Sequence, residues 1–477
     1  MVFTTWHFVL FFAVVYPLYL VVPQRWRYQF LLAASYYFYM CSIPWYLTAI
    51  IAITLVDFWV GIRIEESRTA NRRRGWLLLS LMSNLGILIG FKYAGFLTLN
   101  INELFGTGLP VWRWALPLGI SFHTFQAIAY TVEVYSEKCA AERNLLRYAL
   151  YVAFFPQMVA GPIERPKNLL PQFAVHQPFR YDDFVTGIRL ALWGAFKKLV
   201  VADTIAQVVN NVYGFPDRFR GPVLIIGTIL FAVQIYCDFS GYSDIALGIA
   251  RMMGYRLMVN FRQPYFARSV GEFWRRWHIS LSSWFRDYLY IPLGGSRVTS
   301  LRTAFNLFVV FLVSGFWHGA NWTFACWGAL HGLFLVFSTF TRPIRERIRG
   351  ALSLPTESRV IATGQMLTTF SLVTIAWVFF RANSVRDALF IISHFTDWNG
   401  FRLTDVFSLG LPRFELVIAA CGILTIAFVE WGIANQAPMA LRLWARPALR
   451  WTAYYACTLS IIFFGTFERI TFIYFQF

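Results

Sequence analysis

Runs of apolar residues, separated by short polar breaks, repeat along almost the whole chain. A typical run has roughly 16 residues, which as a helix would cross or nearly cross the hydrocarbon layer of a bilayer. Because a helix satisfies its own backbone hydrogen bonds, the pattern predicts an all-α membrane protein. The clearest runs are Phe8–Val22, Phe30–Met40, Trp45–Gly61, Trp76–Gly90, Thr186–Val201, Pro222–Cys237, Asn306–Phe316, Gln365–Phe380, Leu416–Val429 and Tyr454–Gly465.

One stretch, Pro117–Tyr135, departs from this pattern because Gly, Ser, His and Gln lie among its apolar residues. Polar side chains at membrane depth are tolerated where they face protein or a water-filled cavity, so we expect a broken or re-entrant helix here. With it, residues 1–477 are predicted to form one polytopic bundle of about 11–13 transmembrane or re-entrant helices. The catalytic core is expected at approximately 117–340.

Two polar breaks carry further expectations about local structure. The prolines at 162, 166 and 171 are expected to stop any helix, since a helix interior does not accommodate the proline ring. The stretch Thr341–Arg349 is rich in arginine and is expected to be a basic loop.

Composition and charge agree with a membrane protein and exclude other classes. The chain is 58% hydrophobic and 14% charged, whereas soluble domains are about one quarter charged. Lysine and arginine exceed aspartate and glutamate by 42 − 24 = 18, but they cluster in short breaks between apolar runs. This distribution favours contact with anionic headgroups and argues against a nucleic-acid partner. The six cysteines are scattered, so neither a disulfide framework nor a metal site is indicated.

The first apolar run predicts the orientation of the chain. Arg25 and Arg27 follow this run, and no lysine or arginine precedes it. This is the opposite of a cleavable signal peptide, which carries its positive charge first. We therefore expect an uncleaved first helix with the N-terminus outside and the arginines in the cytoplasm.

The chain's polar chemistry concentrates between Ser269 and His331, beginning with a predicted interfacial helix. Ser269 and Glu272 have the spacing of a capping box, which predicts a helix start near Val270. At helical spacing the next residues divide into two faces. The apolar face holds Phe273, Trp277, Leu281, Trp284 and Tyr288, and the polar face holds Arg275, Arg276, Ser282, Ser283 and Arg286.

His278 lies near the boundary between these two faces, and its position supports two interpretations. In the first, the helix is a membrane anchor and the histidine sits at the interface without a role in chemistry. In the second, His278 and the arginines face a polar cavity that takes a phosphate-bearing cofactor from the cytoplasm.

A second histidine, His318, follows a strongly apolar predicted helix and is flanked by small residues such as Gly315 and Gly319. It is either a packing residue with one hydrogen bond to a neighbouring helix or a general base whose burial favours the neutral imidazole. Small neighbours allow either tight helix packing or an open tunnel to the ring. His331 is a weaker candidate of the same kind. Four acidic residues near membrane depth are interpreted as helix-pairing groups: Asp57, Glu133, Asp238 and Asp244.

Several long stretches resemble the membrane-bound O-acyltransferase (MBOAT) family, in the branch that O-acetylates exopolysaccharides such as alginate. They are GPIERPKNLLPQF, YCDFSGYSDIALG, FRQPYFARSVGEFWRRWHISLSSWFRDYLYIPLGGSR, SGFWHGANWTFACWGALHG and the terminal FIYFQF. The resemblance implies a multi-pass protein of the bacterial inner membrane, with a central tunnel through which acyl groups are transferred. It places the family's invariant histidine at His318 and a second motif position at His278, and it makes His331 a bystander.

The resemblance also implies the reactants. The donor is expected to be acetyl-CoA or a similar acyl thioester from the cytoplasm, with no permanently bound cofactor. Arg275, Arg276 and Trp277 are the candidate donor-binding residues, although ordinary headgroup contact explains the arginines equally well. The acetyl group is expected to pass to a periplasmic acetyltransferase or another polysaccharide-modifying partner, so the chain need not touch the polymer itself.

Three alternatives to this function remain open at the level of sequence. The same chemistry could act on peptidoglycan, teichoic acid or cellulose. A transporter without covalent chemistry would explain the apolar runs and the intramembrane charges, but not two histidines in one region. A non-catalytic scaffold for polysaccharide export should survive the loss of both histidines.

Overall fold

A computed structural model describes residues 1–41, 44–112, 114, 117, 119–158, 161–351, 358–435, 445–467 and 472–473. The regular structure of these residues is helical, and none of them lies in a strand. In the first half of the chain the helices are α1 Trp6–Val21, α2 Gln24–Met40, α3 Tyr46–Glu66, α4 Ala70–Lys92, α5 Ala94–Phe105, α6 Ile120–Tyr135, α7 Leu145–Ala153, α8 Phe155–Met158, α9 Pro166–Ala174, α10 Tyr181–Ala195 and α11 Asp203–Gly214, with a π-helix, π1, at Phe196–Ala202.

The second half of the chain continues this pattern with longer helices. These are α12 Gly221–Met252, α13 Val270–Arg276, α14 Ile279–Phe285, α15 Ser300–His318, α16 Trp322–Phe340, α17 Arg342–Ala351, α18 Arg359–Arg381, α19 Val385–Ser393, α20 Arg413–Ala434 and α21 Pro447–Phe464, with a second π-helix, π2, at Arg286–Tyr290. Short 3₁₀ turns occur at Pro216–Arg218, Pro264–Phe266 and Leu403–Ser408.

Seven of the described helices are long and apolar enough to cross a membrane: α3, α4, α12, α15, α16, α18 and α20. The prediction of an all-α, multi-pass membrane protein is therefore confirmed. The helix α1 is apolar but has 16 residues, which is short for a full crossing. The number of crossings, 11–13 with re-entrant segments, and the orientation of the N-terminus stay predictions.

The broken helix expected at Pro117–Tyr135 is wrong for the described residues, because α6 runs without interruption from Ile120 to Tyr135. Its polar side chains bond to a neighbouring helix instead of facing water. The amide of Gln126 donates to the carbonyl of Tyr151 at 2.6 Å, and His123 Nδ1 lies 3.3 Å from the carbonyl oxygen of Val152. Bonds of this kind let polar residues sit inside a helical bundle.

Two breaks predicted from composition are also wrong, except that Pro162 lies between helices as expected. Thr341–Arg349 is not a loop, since α17 occupies Arg342–Ala351, and Arg342 pairs with Glu346 one turn later at 2.8 Å. Pro166 and Pro171 lie within α9. Proline is tolerated at the first helical position, and Pro171 removes a single hydrogen bond from a helix of nine residues.

The chain forms two compact units: residues 1–191 with 242–259, and residues 192–241 with 260–477. In the first, Asp57 of α3 accepts hydrogen bonds from Ser80 and Asn84 of α4 at 2.6 and 2.8 Å, as expected for a helix-pairing group. The second unit has an aromatic core in which the indoles of Trp277, Trp327 and Trp377 are almost fully buried. His278, His318 and His331 all belong to this second unit.

Candidate active site

His318 is positioned by a tight helical hairpin formed by α15 and α16. His318 is the last residue of α15, and the side chain of Asn321 caps α16 by accepting a hydrogen bond from the Thr323 amide at 3.0 Å. The two helices approach so closely at Gly315 that a Cβ there would overlap the carbonyl oxygen of Phe324. Of the two roles expected for the small residues, the structure thus shows tight packing at Gly315.

The imidazole of His318 lies among aromatic rings and is 4% exposed. The ring centroids of Trp317 and Trp327 are each 4.9 Å away, and that of Phe380 from α18 is 5.3 Å away. All three rings stand at steep angles to the imidazole, between 70° and 88°. Such rings fix the orientation of the histidine while keeping bulk water away from it.

His278 lies at a break in the predicted interfacial helix, and the prediction of one continuous helix through it is wrong. The helix start at Val270 is confirmed, with the side chain of Ser269 accepting from the Glu272 amide at 3.2 Å. His278 has φ +43°, a left-handed conformation that is uncommon outside glycine. The break is held by Asn260, whose carbonyl accepts from the Ile279 amide at 2.9 Å.

The side chain of His278 is fully buried. Its ring lies 4.7 Å from that of Phe239 and 6.2 Å from that of Trp317. Burial lowers the pKa of His278 well below its usual range, because the imidazolium would lose its hydration. His278 is therefore neutral at physiological pH, and it contacts the same indole, that of Trp317, as His318 does.

The two predicted faces around His278 are largely present even though the helix is broken. Phe273, Leu281 and Trp284 are buried, whereas Arg275 and Arg286 are exposed. Arg286 pairs with Asp287 at 2.8 Å, and the contact of either arginine with a ligand stays a prediction.

The other two candidate donor-binding residues have partners inside the protein. Arg276 pairs with Glu272 at 2.6 Å and donates to the carbonyl of Gln263 at 3.4 Å. Trp277 is 1% exposed and stacks on Phe273, with ring centroids 5.4 Å apart. A donor-binding role for these two residues also stays a prediction, and both make contacts that stabilise the protein itself.

His331 belongs to the same aromatic cluster, although the family resemblance implied no role for it in the reaction. Its Nδ1 accepts a hydrogen bond of 3.2 Å from the Trp274 indole, and its ring centroid is 5.0 Å from that of Trp327. Sequence reasoning missed Trp327 and Phe380 as neighbours of His318. Trp327 precedes His331 by four residues, and this one-turn spacing could have predicted that Trp327 lies beside His331. It could not have predicted the contact between Trp327 and His318.

A cavity of about 460 Å³ lies beside the histidine-bearing segments. Its wall is mostly apolar and includes Trp274, Ile279 and Ser314, which place it next to His331, next to His278 and one turn before His318. Arg275 and Arg286 are its cationic wall residues. A cavity of this size, with few polar groups, suits the apolar arm of a small molecule.

A second cavity of about 740 Å³ shares Gly271, Arg275 and Leu335 with the first. Its wall carries four arginines and one carboxylate: Arg268, Arg275, Arg342, Arg345 and Glu346. The shared residues place an arginine-rich cleft next to an apolar pocket. This combination fits a ligand with an anionic head and an uncharged arm.

The arrangement can support proton transfer at buried imidazoles that are largely shielded from water. No group of three or more His, Cys, Asp or Glu side chains that could hold a metal ion occurs in the part of the chain that the structure describes. The histidines of the site can supply acid–base chemistry, and its arginines can bind an anion.

Comparison with known proteins gives one family and several similar proteins. The family described as MBOAT, membrane-bound O-acyltransferase family, matches residues 136–382. The probable alginate O-acetylase AlgI of Pseudomonas putida is 40% identical over 428 residues, covering 88% of this chain and 85% of that protein. AlgI of Pseudomonas aeruginosa is 38% identical over 424 residues, covering 88% and 79%. The peptidoglycan O-acetyltransferase of Helicobacter pylori is 35% identical over 414 residues, covering 80% and 75%.

Proposed function

The chain belongs to the membrane-bound O-acyltransferase family, and we propose that it passes acetyl groups from a cytoplasmic thioester towards an alginate-like exopolysaccharide. The similar AlgI proteins, named as probable alginate O-acetylases, cover most of this chain. The observation that carries the proposal is the placement of His278 and His318 around Trp317, with both imidazoles buried inside a membrane protein. Such burial suits acyl transfer, because water that reached the thioester would hydrolyse it.

In the proposed reaction His318 is the general base. Neutral His318 takes the proton from an acceptor hydroxyl while the hydroxyl oxygen attacks the thioester carbonyl. The new carbon–oxygen bond forms, the carbon–sulfur bond breaks, and the proton passes from His318 to the departing thiolate. General-base assistance contributes roughly 10²–10⁴-fold to such reactions.

His278 is proposed to orient the reactants or to stabilise the oxyanion formed at the carbonyl. Its neutral imidazole can donate one hydrogen bond, and a donor aimed at a developing negative charge lowers the barrier. The break in the backbone at His278 suits this role, because a strained conformation persists where surrounding contacts hold one geometry.

The proposed donor is acetyl-CoA, used as a substrate and not as a resident cofactor. The arginine-rich cleft suits the phosphates, and the adjoining apolar cavity suits the pantetheine arm and the thioester. Arg275 is the residue common to both cavities, which makes it the strongest donor-binding candidate of the three predicted from sequence.

We place the protein in the bacterial inner membrane with its N-terminus outside. Its proposed partner is a periplasmic acetyltransferase or another polysaccharide-modifying protein that receives the acetyl group. Peptidoglycan is the second candidate acceptor, because the relative from Helicobacter pylori named for it is 35% identical over 80% of this chain.

The test is transfer of label from [¹⁴C]acetyl-CoA by the full-length protein in native membranes, supplied separately with unacetylated alginate and with peptidoglycan. The expected result is His318-dependent label in the alginate-containing sample. His318→Ala should abolish it at unchanged protein abundance, and Trp322→Phe, at a half-exposed position of α16, should leave it intact.

Three results would overturn parts of the proposal. Label in peptidoglycan alone would show that peptidoglycan, and not alginate, is the acceptor. Transfer at the wild-type level by His318→Ala would show that His318 is not the general base. The complete absence of His318-dependent label from membranes that contain the partners would favour the transporter or scaffold alternatives.

A further inference from the structure

A buried cluster of charges lies outside the histidine site, where π1 packs against α12. Lys198 Nζ lies 2.6 Å from a carboxylate oxygen of Asp203 and 2.7 Å from one of Asp238. The side chains of all three residues are at most 4% exposed. Burying three charges is costly even when they are paired, and π-helical turns are frequent at functional sites. The proposed acyl transfer does not use these residues.

The cluster and π1 also contact a second, later segment of the chain. We use C-terminal segment for the described residues 465–467 and 472–473. Asp238 Oδ2 accepts a hydrogen bond of 2.8 Å from the backbone amide of Ile473. The amide of Thr466 donates to the carbonyl of Leu199 in π1 at 3.0 Å, and its hydroxyl lies 3.4 Å from that of Thr204.

The two carboxylates of the cluster therefore differ in what they contact. Both pair with Lys198, but of the two only Asp238 accepts a hydrogen bond from the described residues of the C-terminal segment. A carboxylate held by a lysine on one oxygen can present its other oxygen to an amide in a fixed direction. This makes Asp203 a matched control for Asp238.

The anchored segment reaches the wall of the histidine site. Phe472, which directly precedes the anchored Ile473, is 1% exposed, and its ring centroid lies 5.8 Å from that of Phe239. The ring of Phe239 lies 4.7 Å from that of His278 at 83°. Phe239 also follows Asp238 directly in α12, so one short stretch contacts both the C-terminal segment and His278.

We propose that Asp238 is a positioning residue: oriented by Lys198, it anchors the C-terminal segment so that Phe472 holds Phe239 against His278. The anchoring stands on the contacts alone, whereas its effect on catalysis rests on the proposed function. Loss of the Asp238 carboxylate releases the segment, lets Phe239 shift, and loosens the orientation of His278 without touching the donor cavity.

The first experiment measures anchoring without any activity assay. Full-length wild type, Asp238→Ala, Asp238→Asn and Asp203→Ala are purified in detergent, and carboxypeptidase release of the C-terminal residues is followed by intact-protein mass spectrometry. Loss of a hydrogen bond to a charged group should speed release by about 10-fold or more in Asp238→Ala. Asp203→Ala should stay within about twofold of wild type, and Asp238→Asn, which retains an acceptor oxygen, should fall between. Equal release rates in Asp238→Ala and Asp203→Ala would overturn the anchoring.

The second experiment measures the link to His278. Asp238→Ala and Phe472→Ala should lower kcat about 10-fold with the KM for the donor unchanged, since they disturb orientation and not donor binding. Phe472→Ala leaves the charge cluster intact, so it tests the link even if Asp238→Ala does not fold. A normal kcat in Phe472→Ala would overturn the link. Absence of acetyl transfer in wild type would instead contradict the proposed function and leave the release result valid.

Discussion

The indole of Trp327 stands nearly perpendicular to the imidazole of His318, with an angle of 88° and ring centroids 4.9 Å apart. The same indole lies 5.0 Å from His331 and stacks on Trp377 at 18°. Trp327 is fully buried, so it links the proposed general base to the aromatic core of its unit. The orientation of His318 should therefore depend on the volume of this side chain.

Replacing Trp327 tests this dependence. Trp327→Ala should destabilise the protein by about 3–5 kcal/mol, because it leaves a large cavity among rigid rings. Trp327→Phe should cost less and should lower kcat with little change in the donor KM. Thermal unfolding in detergent and the acetyl-transfer assay measure the two effects. Trp322→Ala on the same helix is the control, since its side chain is 54% exposed. An equal loss of stability and of acetyl transfer in Trp327→Ala and Trp322→Ala would contradict the proposed support of His318.

His331 should act through Trp274 and not through substrate. Removing it in His331→Leu leaves the Trp274 indole N–H without its acceptor, which should cost about 1–3 kcal/mol of stability. His331→Gln supplies an acceptor and should restore part of this loss. Both variants should keep measurable transfer, unlike His318→Ala. Complete inactivity of a stably folded His331→Gln would make His331 a catalytic residue.

The apolar helices were predictable, because every apolar run predicted from sequence overlaps a helix of the structure, whereas the polar helices α9 and α17 were not predicted. Their ends were less predictable. The run Pro222–Cys237 is half of α12, which continues to Met252 through buried polar residues such as Asp238. A hydropathy pattern ends where polar residues begin, whereas the helix continues because those residues find partners inside the protein.

The two candidate histidines were chosen from sequence, whereas their surroundings were not predicted, and their catalytic roles stay a prediction. His278 and His318 were identified from sequence, and the structure brings both to Trp317. The break at His278 depends on Asn260, which lies 18 residues earlier, so helical periodicity alone could not predict it. The buried pairing of Lys198 with Asp203 and Asp238 could not be predicted either. A lysine followed shortly by an acidic residue is also the pattern of a helix end at the membrane interface.

The close approach of α15 and α16 should make Gly315 intolerant of any side chain. A Cβ at Gly315 would overlap the Phe324 carbonyl and lie 3.1 Å from the Cα of Gly328. Gly315→Ala should therefore separate the helices, lower the unfolding temperature and reduce transfer, since His318 is three residues away. Gly364→Ala is the control, because nothing lies within 4 Å of a Cβ there and alanine favours a helix. Equal thermal stability of the two variants would refute the tight packing.

The stability of the protein should depend on pH through Glu164. Burial raises the pKa of this carboxyl to about 7, although hydrogen bonds from Met258 and Asn168 oppose the shift. The unfolded chain releases this proton near pH 4.3, so the folded state binds more protons between about pH 4.3 and 7. The contribution of Glu164 to stability is thus largest at low pH and falls as pH rises through this window. The unfolding temperature of wild type should drop more from pH 5 to pH 8 than that of Glu164→Gln, and parallel curves would contradict this.

Arg275 and Arg276 are neighbours in sequence, but replacing Arg275 should affect donor binding, whereas replacing Arg276 should affect stability. Arg275 is exposed and lines both cavities, whereas Arg276 is paired with Glu272. Arg275→Ala should raise the KM for acetyl-CoA about 10-fold with kcat unchanged, because it removes binding that is equal in the ground and transition states. The effect should shrink at high ionic strength, since exposed charges are screened. Arg276→Ala should leave the KM unchanged and slightly lower the unfolding temperature. The reverse pattern in steady-state kinetics would move the donor phosphates away from the arginine-rich cleft.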